Sequence, residues 1–191
     1  MKYSYHESFL ESLKKIKGPF EFICPEESLA KIDFFKNYVP QEKNLILKKT
    51  FNNEKTSEIV DLLMEKSELF KLGEAFSDFE HYVVTVVTEL VRNGIVLNFK
   101  QMDFKDVNLC LYDEGDSLLL TVTDFYGTLN STDISERLNK VSLTGEYERK
   151  VYGAGLGLFM AIKNVDLIKF SVCPEKYTII TASMKKYKRL K

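Results

Sequence analysis

The sequence predicts an α+β fold, a mostly antiparallel sheet covered on one face by helices. Two observations carry this. Residues 107–112 with 118–124, and residues 167–173 with 177–183, are paired runs of strand formers, each pair joined by a short turn. A helical segment precedes each pair, so the order is helix, hairpin, long polar loop, helix, hairpin. Hairpins pair antiparallel, and amphipathic helices between them have one apolar sheet face to cover.

From the N-terminus, residues 3–17 have the spacing of a short amphipathic helix, stopped at Gly18-Pro19. Residues 20–24 form a short strand. Pro25-Glu26-Glu27 opens a helix through Tyr38, since proline suits a first turn and acids favour the positive end of the helix dipole. Pro40 stops it. Residues 44–51 (Asn44 followed by LILKKTF) are ambiguous, with a strand as one reading. Asn53 or Thr56 caps a helix through Leu72, with Ile59, Leu62, Leu63 and Leu69 on one face, and Gly73 ends it.

The helix over residues 77–98 is the most informative. Val83, Val84, Val87, Leu90, Val91 and Ile95 recur at helical spacing. Asp113-Glu114-Gly115-Asp116-Ser117 is turn chemistry between the first two strands. Residues 125–152 are polar and poorly periodic apart from a helical stretch at 133–141. Gly153-Ala154-Gly155 then leads into a helix through Asn164.

The totals limit the functional classes. A chain of 191 residues can bury a core without disulfides or metals. Its net charge of −1 gives no global attraction to nucleic acid or an anionic membrane. The basic run from Lys185 to Lys191 reads as a solvated tail. Cys24, Cys110 and Cys173 form no CxxC pair; Cys110 and Cys173 lie in apolar runs, and buried free thiols in a reducing cytoplasm are the expected reading. No signal peptide or membrane span is apparent. His6 and His81 are the two histidines, and neither has a metal-like partner in sequence.

Three places can carry chemistry. Glu89 and Asn93 stand one turn apart on a largely apolar helix face. A carboxylate beside an amide oxygen can hold Mg²⁺ through water or accept a proton from a nucleophile; a solvent-facing helix pair is the plain alternative. Asp124 ends an apolar strand, with Gly127 soon after, and its carboxylate can accept a hydrogen bond from an amino group such as that of adenine. An ordinary strand-to-turn transition has the same residues. Gly153-Ala154-Gly155-Leu156-Gly157-Leu158 enters a helix, where bare backbone can approach phosphate closely; close helix packing also uses such glycines.

In this order the three places resemble the N box, G1 box and G2 box of the GHKL (histidine-kinase-like) ATPases. The resemblance covers residues 80–184, and the glycine stretch is its strongest part. It implies a two-layer α/β sandwich of the Bergerat type with a mixed, mostly antiparallel sheet. Residues 76–191 would form the ATPase domain, and residues 1–75 a helical and strand segment packed on it. Residues 128–152 stand where the family has its ATP lid, and Thr178 resembles a threonine that reaches toward the nucleotide.

Within the family, the short lid and compact core are similar to the anti-sigma-factor serine/threonine kinases. That likeness implies ATP and Mg²⁺ as cofactors. Asp124 would read the adenine amino group, Asn93 would ligate Mg²⁺, and Glu89 would orient or deprotonate a serine or threonine of a protein substrate. Gly127 would shape the adenine turn. Gly153, Gly155, Leu156 and Gly157 would cradle phosphate, helped by Arg149 or Lys150. The implied partners are a sigma-like factor and a small antagonist protein, each excluding the other; a homodimer stays open. A GHKL module that has lost ATP and serves as an interaction switch is the alternative.

The sequence also departs from the family. Tyr126 stands where the first glycine of Asp-x-Gly-x-Gly belongs. Either its ring fills part of the adenine pocket, or Gly127 makes the same turn one residue later. Gly94 replaces a common alanine, and Leu97 a common histidine or tyrosine.

Overall fold

A computed structural model of the chain describes residues 20–24, 39–66, 68, 77–129, 132, 134, 157, 158, 161 and 164–186. The elements are β1 (Phe20–Cys24), a 3-10 turn (Glu42–Asn44), β2 (Leu45–Phe51), α1 (Thr56–Glu65), α2 (Ser77–Gln101), β3 (Val107–Asp113), β4 (Ser117–Asp124), β5 (Leu167–Cys173) and β6 (Tyr177–Lys185). The strands form one sheet in the order β1-β5-β6-β4-β3-β2. The mostly antiparallel sheet foreseen from sequence is antiparallel at all five of these pairings. With α1 and α2 packed on one another and α2 on β3 and β4, the architecture is a two-layer α/β sandwich.

The core follows from the two periodicities. On α2, Val83, Val84, Val87, Leu90, Val91 and Ile95 are all buried. Beneath them every second strand residue is apolar and buried: Val107, Leu109 and Leu111 on β3, Leu118, Leu120 and Val122 on β4, and Ile168, Phe170 and Val172 on β5. Each such side chain contributes about 1.5–3 kcal/mol by leaving water. Residues on the opposite strand face are wetter. That is why Cys110 and Cys173, expected as buried thiols, are free but only half-buried: the pleat turns both away from the helices.

α2 runs beyond the expected end at 98 to Gln101, because Phe99, Lys100 and Gln101 include no helix breaker. It stops where Met102 takes a left-handed φ of 51°. α1 is shorter than expected and ends at Glu65. Its N-cap is Lys55 rather than Asn53 or Thr56, and the Lys55 N–H donates to the Glu58 carboxylate at 2.8 Å. Ile59 and Leu63 are fully buried, and Leu62 partly. The ambiguous 44–51 run is an edge strand, where exposed Lys48 and Lys49 suit an unpaired margin. The helices expected at 3–17 and 25–38 lie outside the described residues, as do Leu69 and Gly73. At 133–141 only Ile134 is described; it is helical and fully buried in the main core.

The β3–β4 turn is held as its sequence suggests. Gly115 has a φ of 76°, and its N–H donates to the Asp113 carboxylate at 2.9 Å. The buried ammonium of Lys186 reaches the same oxygen at 2.6 Å. Burial opposes ionisation of Asp113, but these donors outweigh it and hold the carboxyl below its usual range.

Candidate functional site

One row of paired residues crosses the sheet. Val172 on β5 pairs with Thr178 on β6, Thr178 with Asp124 on β4, Asp124 with Val107 on β3, and Val107 with Phe51 on β2. Directly paired residues face the same side, and Val107 faces α2. Asp124 and Thr178 are therefore a carboxyl and a hydroxyl set side by side into an apolar row under the helices. Both are buried. The Thr178 hydroxyl has no well-formed hydrogen bond among the described residues, although it lies near enough to the carboxylate to favour its charge weakly.

Burial pushes the Asp124 carboxyl above the usual carboxylate range, against the opposing pull of two backbone donors. Those donors are the N–H groups of Tyr126 at 3.0 Å and Gly127 at 3.3 Å, and both converge on Oδ1. The left-handed residue of this turn is Gly127, at φ 60°. A Cβ on Gly127 would strike the Cys173 carbonyl and stand 2.9 Å from the backbone nitrogens of Glu175 and Lys176. The turn is thus seated against the β5–β6 hairpin, where the Glu175 N–H also donates to the Gly127 carbonyl at 3.3 Å.

The Tyr126 ring is committed to the α2–β3 connection. Its hydroxyl donates to the Asp103 carbonyl and accepts from the Lys105 N–H at 3.2 Å. The Lys105 ammonium stands 4.8 Å from the ring centroid, a cation–π contact.

α2 delivers the other polar pair. A Cβ on Gly94 would lie 2.9 Å from Val107 Cγ2, so the helix approaches β3 here more closely than alanine allows. Val107 is the sheet partner of Asp124, which brings the α2 backbone beside Asn93 to the strand end that holds the acid. Asn93 itself is exposed. One turn earlier, Glu89 is half-buried and 3.8 Å from Arg92. Gly157 packs on its carboxylate so tightly that a Cβ would collide with Oε2. Glu89 and Gly157 meet directly, and Asp124 and Thr178 meet directly. Gly94 and Val107 link the two sets.

Arg149, Lys150, Gly153, Gly155 and Leu156 lie outside the described residues. His81 is exposed. Three participants are not singled out by the sequence reading. Thr88, buried beside Glu89, keeps a hydroxyl without a partner among the described residues. Arg92 engages Glu89, and Lys105 engages Tyr126. An acid at i with a base at i+3 would have flagged Arg92.

No protein-family model and no curated protein matches the chain. Among the described residues, no helix is long and apolar enough to cross a membrane. Among solved structures, one chain of the SiaB–SiaC complex from Pseudomonas aeruginosa is similar, with a TM-score of 0.56 and 13% identity. The match covers 81% of this chain and 95% of that one. At that identity the likeness concerns the fold: this chain has the architecture of a component of a crystallised two-protein complex.

Proposed function

We propose that the chain is an ATP-binding domain of the GHKL type that acts as an anti-sigma-factor-like serine/threonine protein kinase in partner-switching regulation. The pairing of Asp124 with Thr178 carries this reading. A buried carboxyl pushed upward by desolvation and a buried hydroxyl with no well-formed partner among the described residues suit a ligand that brings its own polar groups, as an aminopurine does. The backbone donors occupy Oδ1, so Oδ2 is the oxygen that would accept the adenine amino group.

Bound ATP with Mg²⁺ supplies the phosphoryl group and the charge that activates it. Asn93 would provide the amide oxygen for the metal. Glu89, turned toward Gly157, would orient or deprotonate the hydroxyl of a protein substrate. Gly153, Gly155, Leu156 and Gly157, with Arg149 or Lys150, would line the phosphate path. Such catalysis is chiefly positioning and electrostatics. The shared fold with a member of a protein–protein complex supports protein partners, which we take to be a sigma-like factor and an antagonist protein.

Isothermal titration with ATP and Mg²⁺ tests the reading. Binding heat should appear in the wild type and be lost in Asn93→Ala, and a phosphorylated partner protein should form only in the wild type. A second reading rests on Tyr126: a GHKL fold whose altered G1 turn has left it an interaction switch. That reading predicts no ATP heat at high protein concentration.

A further inference from the structure

We propose that Tyr126 is a positioning residue joining the Asp124 turn to the α2–β3 connection, so that a ligand held by Asp124 is registered at residues 103–105. This rests on the nucleotide reading of Asp124. The Tyr126 backbone and side chain face two different tasks. Its N–H donates to Asp124 Oδ1 at 3.0 Å, while its hydroxyl both donates to the Asp103 carbonyl and accepts from the Lys105 N–H. A single rigid ring therefore spans the acid and the loop.

Lys105 completes the joint. Its ammonium lies over the ring, reaches the Phe125 carbonyl at 3.3 Å and pairs with Asp103 at 3.4 Å. On its far side the connection is tied to the end of β2, because Asn52 Nδ2 donates to the Phe104 carbonyl at 3.0 Å. The loop is thus held at both flanks, by Tyr126 on one side and Asn52 on the other. Glycine at position 126 would leave the turn free of this loop; tyrosine makes the two move together. Met102, Phe104 and Phe125 stand around the joint as exposed apolar side chains, so a shift there alters the surface.

The coupling has a direct physical origin. An amino group donating to the Asp124 carboxylate competes for electron density with the Tyr126 and Gly127 N–H groups. The turn readjusts, and the phenol hydroxyl carries the change to the Lys105 amide. Effects of this kind commonly amount to about 5–150-fold in an equilibrium.

Amide hydrogen exchange on the full chain, read by NMR with and without saturating ATP and Mg²⁺, tests the proposal. In the wild type, ATP should change exchange at the Lys105 amide by about five-fold or more. In Tyr126→Phe, ATP should still bind, up to about ten-fold more weakly, yet leave that amide unmoved. Lys105→Met, which spares the backbone donor, should keep a reduced response. A Lys105 amide that ignores bound ATP in the wild type, or responds equally in Tyr126→Phe, overturns the coupling while the nucleotide reading stands. Absence of ATP heat in the wild type overturns both.

Discussion

The Glu89 carboxylate lies over Gly157: a methyl group on the glycine would strike Oε2 and stand 2.9 Å from Cδ. This contact joins α2 to the helical residues after the glycine stretch. The obstructing atoms belong to the mobile end of a side chain, so Gly157→Ala should move the carboxylate instead of unfolding the protein. We expect a stability change within about 1 kcal/mol and loss of most phosphoryl transfer, compared by thermal melts and a transfer assay. Unchanged transfer with full stability would remove Glu89 from its role.

Asp124 gives a test that separates binding from folding. Its native pKa is raised, so the native state holds the proton more tightly than the unfolded chain. The stability from that proton is full below the ordinary carboxylate value and is lost as pH rises through the raised native one. Asn at this position can still accept the two backbone N–H donors and carries no buried charge. Asp124→Asn should therefore melt no lower than the wild type at pH 7, with a flatter dependence of stability on pH between those two values. The same variant should give no ATP heat.

Gly127 should tolerate far less. Its φ of 60° disfavours any L side chain, and the obstacles to a Cβ are backbone atoms of the β5–β6 turn. Gly127→Ala should cost about 3 kcal/mol, read from denaturant midpoints. A loss below about 0.5 kcal/mol would contradict the close seating of the two turns.

The Asp113–Lys186 pair should respond asymmetrically. Lys186 is buried, whereas the Asp113 side chain is 39% exposed. Asp113→Ala strands an ammonium and should cost about 2–3 kcal/mol; Lys186→Met strands a carboxylate that water can reach and should cost about 1 kcal/mol or less. Because the native Asp113 pKa is lowered, the pair's contribution is present above the ordinary carboxylate value and disappears as pH falls through the native one. Melts of both variants at neutral and acid pH check the order and the sign.

Glu175 offers a stabilising change. It holds a φ of 60° in the β5–β6 turn and is exposed. Glu175→Gly should relieve the left-handed penalty and raise stability by up to about 1 kcal/mol. A lower melting temperature would show that the side chain does more than occupy the turn.

Much of this architecture was legible because it is local. The apolar spacing of α2 and the alternation of β3 to β6 survive intact in the structure, and Asp113–Ser117 announces its turn. β2 was ambiguous because Lys48-Lys49 interrupts its pattern, which is what an edge strand tolerates. The site was legible only as separate pieces. The pairing of Asp124 with Thr178 depends on the register between β4 and β6, strands far apart in sequence. The contact of Gly157 with Glu89 depends on how one helix is laid against another. Tyr126 could be read in two ways because sequence specifies the phenol and not the loop that receives it.

The sheet's margins have a consequence for how the chain assembles. Its inner pairings include two hairpins, β3 with β4 and β5 with β6, which can close within a short stretch of polypeptide. β1, by contrast, pairs Phe20 with Val172, almost the length of the molecule away. During synthesis β1 must wait for its sheet partner until β5 has been made. Over that interval the growing polypeptide carries a pairing-competent segment whose partner strand is not yet made, and that is when a chaperone would matter most.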